Sequence, residues 1–133
     1  MSKDNLALIR GVYAAFAKGD IPSVLAAMSP EIVWNEAKNF VYADENPYQG
    51  PDAVLKGVFA RLGGEWDGFS AKAGEILDAG DAVIALGRYG GAHKKTGSRL
   101  DAQFAHVWRV KDGKAIAFQQ YTDTLQAARA VGR

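Results

Sequence analysis

Among the side chains of types that could do acid/base work on a small molecule are Tyr13, Glu36, His106 and Asp123. A carboxylate can take a proton from carbon, and a tyrosine or histidine can hydrogen-bond the oxygen on which charge then builds. They lie far apart along the chain, so only the fold can unite them. The stretch FAHVWRVKDGKAIAFQQYTDT, Phe104 to Thr124, carries two of the four. Asp-Gly between two strand-like runs is a strong hairpin signal. With Asp112 and Gly113 as the loop, Lys111 pairs with Lys114. Counting outward sets Trp108 against Ala117, His106 against Gln119, Phe104 against Tyr121 and Ala102 against Asp123. Opposed residues project to one side of a sheet. Phe104, His106, Trp108, Gln119, Tyr121 and Asp123 are therefore expected on one surface, with Ala105, Val107, Ile116 and Phe118 on the other. The first set mixes large aromatics with hydrogen-bonding groups, the lining of a small-molecule pocket. A register slip of one residue would reverse it.

The elements that must position these groups follow from periodicity. Leu6, Ile9, Tyr13 and Phe16 recur at helical spacing between Asp4 and Lys18, and Gly19 stops that helix. Asp20 caps a second helix with Pro22 in its first turn, Leu25 and Met28 inward, and Pro30 as its end. EIVWNE gives a short strand in which Ile32, Trp34 and Glu36 share a side. AKNFVYADENPYQG fits neither period and reads as a covering loop, which makes Phe40 and Tyr48 ligand-contact candidates beside Trp34. GPDAVLKGVFARLGG reads as a third helix with Val54, Leu55, Val58, Phe59 and Leu62 inward, and Gly57 permits close packing. Four strand-like runs follow, FSAKAGEILD, AVIALGRYGGAH, RLDAQFAHVWRV and KAIAFQQYTDT. Helices first and a sheet afterwards give an α+β domain spanning residues 1–133 as one unit.

Composition removes other classes. At 133 residues and 48% hydrophobic, the chain suits one globular core. No apolar run approaches the roughly 18 residues of a membrane span, and MSKDNLALIR lacks a secretory apolar region. The absence of cysteine removes disulfides and thiolate chemistry and fits a cytoplasmic protein. A net charge of +1 disfavours nucleic acid, the basic cluster HKKTGSR reading as a hairpin tip. His93 and His106 show no metal-ligand spacing, and glycine-rich nucleotide loops and the GxSxG elbow are missing. No metal or cofactor is expected.

The segments VYAAFAKGDIPSVLAAMSPEIVWNE and HVWRVKDGKAIAFQQYTDT resemble the NTF2-like superfamily, in its ketosteroid isomerase and SnoaL-like polyketide cyclase branch. The similarity covers nearly the whole chain. It implies a cone-shaped, strongly curved, mostly antiparallel sheet with three N-terminal helices enclosing an apolar pocket, and frequent homodimers. Ketosteroid isomerases carry a first-helix tyrosine, matched by Tyr13, an acidic base on the first strand, matched by Glu36, and an acidic donor on a late strand, where this sequence has His106. Glutamate replaces aspartate and histidine replaces the acid, so the pocket plan carries over rather than steroid isomerisation itself. SnoaL-like cyclases use an aspartate without a cofactor, and Asp123 resembles it in type and neighbourhood.

The resemblance therefore implies a cofactor-independent isomerase or cyclase acting by proton transfer on a small, largely apolar carbonyl compound. Glu36 or Asp123 is the base, and Tyr13 and His106 polarise the oxygen. Trp34, Phe40, Tyr48, Phe104, Trp108, Gln119 and Tyr121 form the ligand wall. Each residue has a structural alternative: Tyr13 as core packing, His106 as a core histidine, Glu36 paired with an arginine, Asp123 bound to backbone amides where the last strand ends. A binding module for an apolar ligand, or a scaffolding homodimer, are the alternative functions.

Overall fold

The computed structural model describes residues 2–133. Helix α1 runs Ser2–Ala17 and buries Ile9 and Val12, with Leu6, Tyr13 and Phe16 packed half-buried alongside. Gly19 breaks it at φ 74°, a conformation that favours glycine. Helix α2, Ile21–Ala26, is capped by the Asp20 carboxylate accepting from the Ser23 N–H at 3.2 Å. It is shorter than the sequence suggests. Strand β1 already begins at Met28 and runs to Asn35, so Pro30 lies inside a strand rather than ending a helix. The proline is accommodated because pairing with the neighbouring strand is irregular between Met28 and Val33. Ile32, Trp34 and Glu36 are buried together, as the period-2 pattern predicts.

After the loop come the short strand β2, Tyr48–Gln49, and one helical stretch of three parts: α3 at Pro51–Val54, a π-helical turn at Leu55–Phe59 and α4 at Ala60–Glu65. The π turn lets the consecutive residues Val58 and Phe59 both reach the interior. Strands β3 (Trp66–Asp78), β4 (Ala82–His93), β5 (Arg99–Lys111) and β6 (Lys114–Thr122) then form a meander. The six strands lie in the order β2-β1-β6-β5-β4-β3, with β1 parallel to β6 and all other pairs antiparallel. Helix α1 packs across β3 and β4, so the core sits between the helices and one face of the sheet. The α+β architecture with an unclosed, six-stranded sheet agrees with the sequence reading. A terminal helix α5, Thr124–Ala130, lies beyond the elements expected from the sequence. No helix among the described residues is long and apolar enough to cross a membrane.

The β5–β6 hairpin turns at Asp112 and Gly113, both at positive φ, and Lys111 pairs with Lys114. The expected register holds for only one further pair. A bulge at Ile116 follows Val110–Ala115, after which Arg109 pairs with Ala117, Trp108 with Phe118 and His106 with Gln120. The extra residue reverses the facing of the rest of β6. Phe118 and Gln120 turn inward, while Gln119 and Tyr121 turn out.

Gly57 is required by contact. A Cβ there would lie 2.1 Å from Cε1 of buried Tyr48, whereas one at Gly63 meets nothing within 4 Å. Gly57→Ala is expected to lower stability by about 1–3 kcal/mol through overpacking. Gly63→Ala is expected to raise it by up to about 1 kcal/mol through helix propensity. Urea unfolding of the two variants checks the opposed signs.

Candidate functional site

Between α1, the helical stretch and the inner sheet face lies an apolar cavity with about 50 Å³ open to the centre of a water-sized sphere. Trp34, Phe59, Phe69 and Phe118 form much of its wall. Trp34 stacks on Phe118 at 3.7 Å and meets Trp108 edge-on at 5.5 Å, which makes the space narrow. Phe40, from the loop after β1, closes one side.

That loop is pinned at several points. Asn46 accepts from the Glu36 N–H at 3.0 Å and donates to the Glu36 carbonyl at 2.8 Å, imitating a strand bridge. Tyr42 donates to Glu65 at 2.5 Å, accepts from the Trp66 indole N–H at 2.9 Å and lies under the Arg61 guanidinium at 4.3 Å. Arg61 also pairs with Asp44 at 2.8 Å. The segment is a cover, as its irregular sequence suggests, and it is tightly fastened.

Polar groups enter the cavity in two places. Glu36 is buried at the end of β1, its Oε2 accepting from the Trp34 indole N–H at 3.1 Å, while Oε1 takes no hydrogen bond from the described residues. Desolvation pushes its pKa up to about 8, against smaller lowering by the Trp34 bond and the distant Arg61 charge. The second group is centred on His106. Tyr13 Oη lies 2.5 Å from its Nδ1 and Tyr89 Oη lies 2.5 Å from its Nε2. The Trp108 indole donates to Tyr13 at 2.9 Å, and the Gln120 amide donates to Tyr89 at 2.8 Å. Burial drives the His106 pKa down to about 3, so the ring is neutral at ordinary pH. Burial likewise raises both tyrosines, and Glu36's charge raises Tyr89 further.

Tyr13, Trp34, Glu36, Phe40, His106 and Trp108 line the cavity together, as the sequence reading expects. His106 lines the cavity with neither ring nitrogen free, however. Both its nitrogens are occupied by tyrosine hydroxyls, Nδ1 by Tyr13 and Nε2 by Tyr89. Asp123 is corrected: it is exposed and caps α5, accepting from the Gln126 N–H at 3.0 Å, which is its structural alternative. Gln119 and Tyr121 are corrected with it, because the Ile116 bulge places both on the outer face, Tyr121 57% exposed. Phe104 lies behind the wall, stacked on His106 at 4.0 Å. Tyr48 is buried against Gly57 and bonded to the Tyr42 carbonyl at 2.6 Å, outside the cavity lining.

Among the lining residues that escaped the sequence reading, three bear on the polar groups: Phe118, Gln120 and Tyr89. The first two carried a signal, since the unbulged register left Phe118 outside while turning Gln119 and Asp123 inward. Tyr89 required the β4–β5 register, which pairs Gly87 with Phe104 and Tyr89 with Ala102. Gly87 has no room for a Cβ, which would sit 2.7 Å from the Phe104 ring and closer still to the β3 backbone. The Tyr89 ring lies over Phe104 at 4.6 Å and reaches along the strand to His106.

The family model for the SnoaL-like domain matches residues 9–118. The chain belongs to the SnoaL-like domain family. An NTF2-like protein from Burkholderia thailandensis shares 40% identity with TM-score 0.91, over 96% of this chain and 97% of that one. An NTF2-like protein of unknown function from Burkholderia pseudomallei shares 25%, with TM-score 0.88 over 98% of each. At 16% identity and TM-score 0.78, over 94% and 92%, a hypothetical protein with a ketosteroid isomerase-like fold from Catenulispora acidiphila, in complex with trimethylamine, shares the fold. No curated protein matches the chain significantly.

In this SnoaL-like domain the two buried groups act on stability in opposite directions. Folded Glu36 keeps its proton up to about 8 where the free side chain loses it near 4.5, so stability falls as pH rises through that interval. Folded His106 stays neutral down to about 3 where the free ring protonates near 6.5, so stability falls as pH drops through that interval. Each slope is about 1.4 kcal/mol per pH unit, and the two cancel where they overlap. Thermal unfolding is expected to show its highest midpoint between pH 4.5 and 6.5. Glu36→Gln is expected to abolish most of the decline between 6.5 and 8. A decline of undiminished size in that variant overturns the assignment to Glu36.

Proposed function

We propose that this SnoaL-like domain is a cofactor-independent acid/base enzyme of the isomerase or cyclase kind, moving a proton beside the carbonyl of a small, mostly apolar compound. The observation that carries the reading is one narrow apolar cavity shared by a buried carboxyl group, Glu36, and the hydroxyls of Tyr13 and Tyr89. Glu36 is the base. With a pKa of about 8 it is roughly one-tenth ionised at pH 7, and the ionised fraction is a strong, poorly solvated acceptor. A tyrosine hydroxyl donates to the carbonyl oxygen and stabilises the negative charge that develops there. Ketosteroid isomerase divides the work in the same way, between a carboxylate base and a tyrosine donor.

The cavity also constrains the ligand's charge. Glu36 in its acid form, neutral His106 and the two neutral tyrosines leave no fixed charge among these groups, so a charged ligand would enter without a permanent counter-ion. A neutral ketone or enone suits the site. Its free space is small, about 50 Å³.

Deuterium incorporation into small cyclic ketones, followed by NMR, tests the reading. The wild type is expected to exchange the α-hydrogens above the buffer rate, rising with pH to half its maximum near 8 and levelling above that as Glu36 ionises. Glu36→Gln is expected to lower the rate about 10²–10⁴-fold. Saturable ketone binding with exchange at the buffer rate would instead favour ligand capture without turnover.

A further inference from the structure

The hydrogen bonds around His106 can be counted, and the count leaves one hydrogen over. Tyr13 Oη accepts from the Trp108 indole N–H, which cannot accept in return. Tyr89 Oη accepts from the Gln120 amide. The orientation of that amide is fixed, because its Oε1 accepts the Ala37 backbone N–H at 2.9 Å and so its NH₂ faces Tyr89. Neither hydroxyl can direct its own hydrogen to these partners, and each has only a nitrogen of His106 besides. A neutral imidazole presents one N–H and one bare nitrogen. At the bare nitrogen the tyrosine must donate. At the N–H the tyrosine accepts, and its hydrogen then has no acceptor among the described residues.

We propose that His106 is a positioning residue, a neutral two-ended relay whose tautomer decides whether Tyr13 or Tyr89 turns its hydroxyl hydrogen toward the ligand. With hydrogen on Nδ1, Tyr89 is committed to Nε2 and Tyr13 is the free donor. With hydrogen on Nε2, Tyr13 is committed to Nδ1 and Tyr89 is free. A ligand oxygen finds one strong donor at either end of the ring, never two, which fits a carbonyl at one end. Passing from one tautomer to the other takes one hydrogen in at one hydroxyl and releases one at the other, leaving every group neutral. The ring thereby joins two separate points of the cavity wall by proton transfer. The inference rests on the reading of this cavity as a proton-transfer site.

The test needs no substrate. The chain has two histidines, so ¹⁵N-labelled histidine gives two ring systems, and His93→Gln assigns them. In Tyr13→Phe the hydrogen of His106 is expected on Nε2, facing Tyr89: the Tyr89 hydroxyl hydrogen then turns into the cavity, whereas an N–H at Nδ1 would face the phenylalanine ring with no acceptor. In Tyr89→Phe it is expected on Nδ1, facing Tyr13. The same tautomer in both variants, or a ring bearing two hydrogens in the wild type at neutral pH, overturns the relay. Should one variant fail to fold, the other decides: hydrogen on the nitrogen facing the deleted hydroxyl overturns it, and hydrogen on the opposite nitrogen supports it. A packing role alone would move no hydrogen between nitrogens. Tautomers that swap as expected while ketone exchange stays at the buffer rate would overturn the catalytic reading and leave the relay standing. The reverse result would remove the relay alone.

Discussion

Removal from water is the constraint on which this site depends, and it acts on an acid and a base at once. Glu36 and His106 are both buried in apolar surroundings, and a low-dielectric environment penalises whichever form of each is charged. The carboxyl group therefore holds its proton to about 8 and the imidazole refuses one until about 3. Had the two formed an ion pair, the site would hold a fixed charge couple and the tyrosines would be oriented by it. Instead the polar groups are tied by neutral hydrogen bonds, whose directions are set by which atom carries a hydrogen.

The backbone irregularities serve this enclosure. The bulge at Ile116 brings Phe118 and Gln120 under His106, supplying one large apolar wall and the amide that anchors Tyr89. The π-helical turn aims Val58 and Phe59 into the same cavity and allows Gly57 to sit against Tyr48, which holds the covering loop through the Tyr42 carbonyl. Gly87 takes no side chain where Phe104 crosses β4, leaving the Phe104 ring beneath both His106 and Tyr89. Each departure from regular geometry is local, and each changes which side chains face inward.

This explains what the sequence made legible. Helix α1, the Asp20 cap, the Ile32–Trp34–Glu36 face and the Asp112-Gly113 turn are fixed by interactions within a few residues, and all are readable from spacing and residue type. The strict alternation along β5 likewise identifies Phe104, His106 and Trp108 as one face. The bulge is different. It answers to the packing of Phe118 on Trp34, a contact with the parallel strand β1 about eighty residues earlier, and a hairpin read alone carries no sign of it. One inserted residue was enough to send Gln119 and Tyr121 to the outside. Tyr89 was hidden for a related reason, since its bond to His106 crosses a strand pair whose register depends on a longer turn. Asp123 shows the converse: aspartate followed by a helix-forming TLQAARA is a capping signal within the sequence itself.

The covering segment and the polar chain are mechanically one unit. Glu36 and Ala37 form the junction between β1 and the loop, and their backbone groups are held by Asn46 and by Gln120. The Ala37 N–H fixes the Gln120 amide, the amide fixes the Tyr89 hydroxyl, and the hydroxyl contacts His106. Movement of the loop at residue 37 would break the first of these bonds and leave the Gln120 amide free to turn. The wall formed by Trp108 and Phe118 belongs to β5 and β6 and has no such tie to the loop. Opening the cavity at Phe40 for a larger compound would thus loosen the Tyr89 end of the hydrogen-bonded chain, while the Tyr13 end stays anchored by Trp108. The two ends of the His106 ring are equivalent in hydrogen-bond count but differ in anchorage: the Tyr89 end hangs on the loop junction at Ala37 through Gln120, and the Tyr13 end on Trp108.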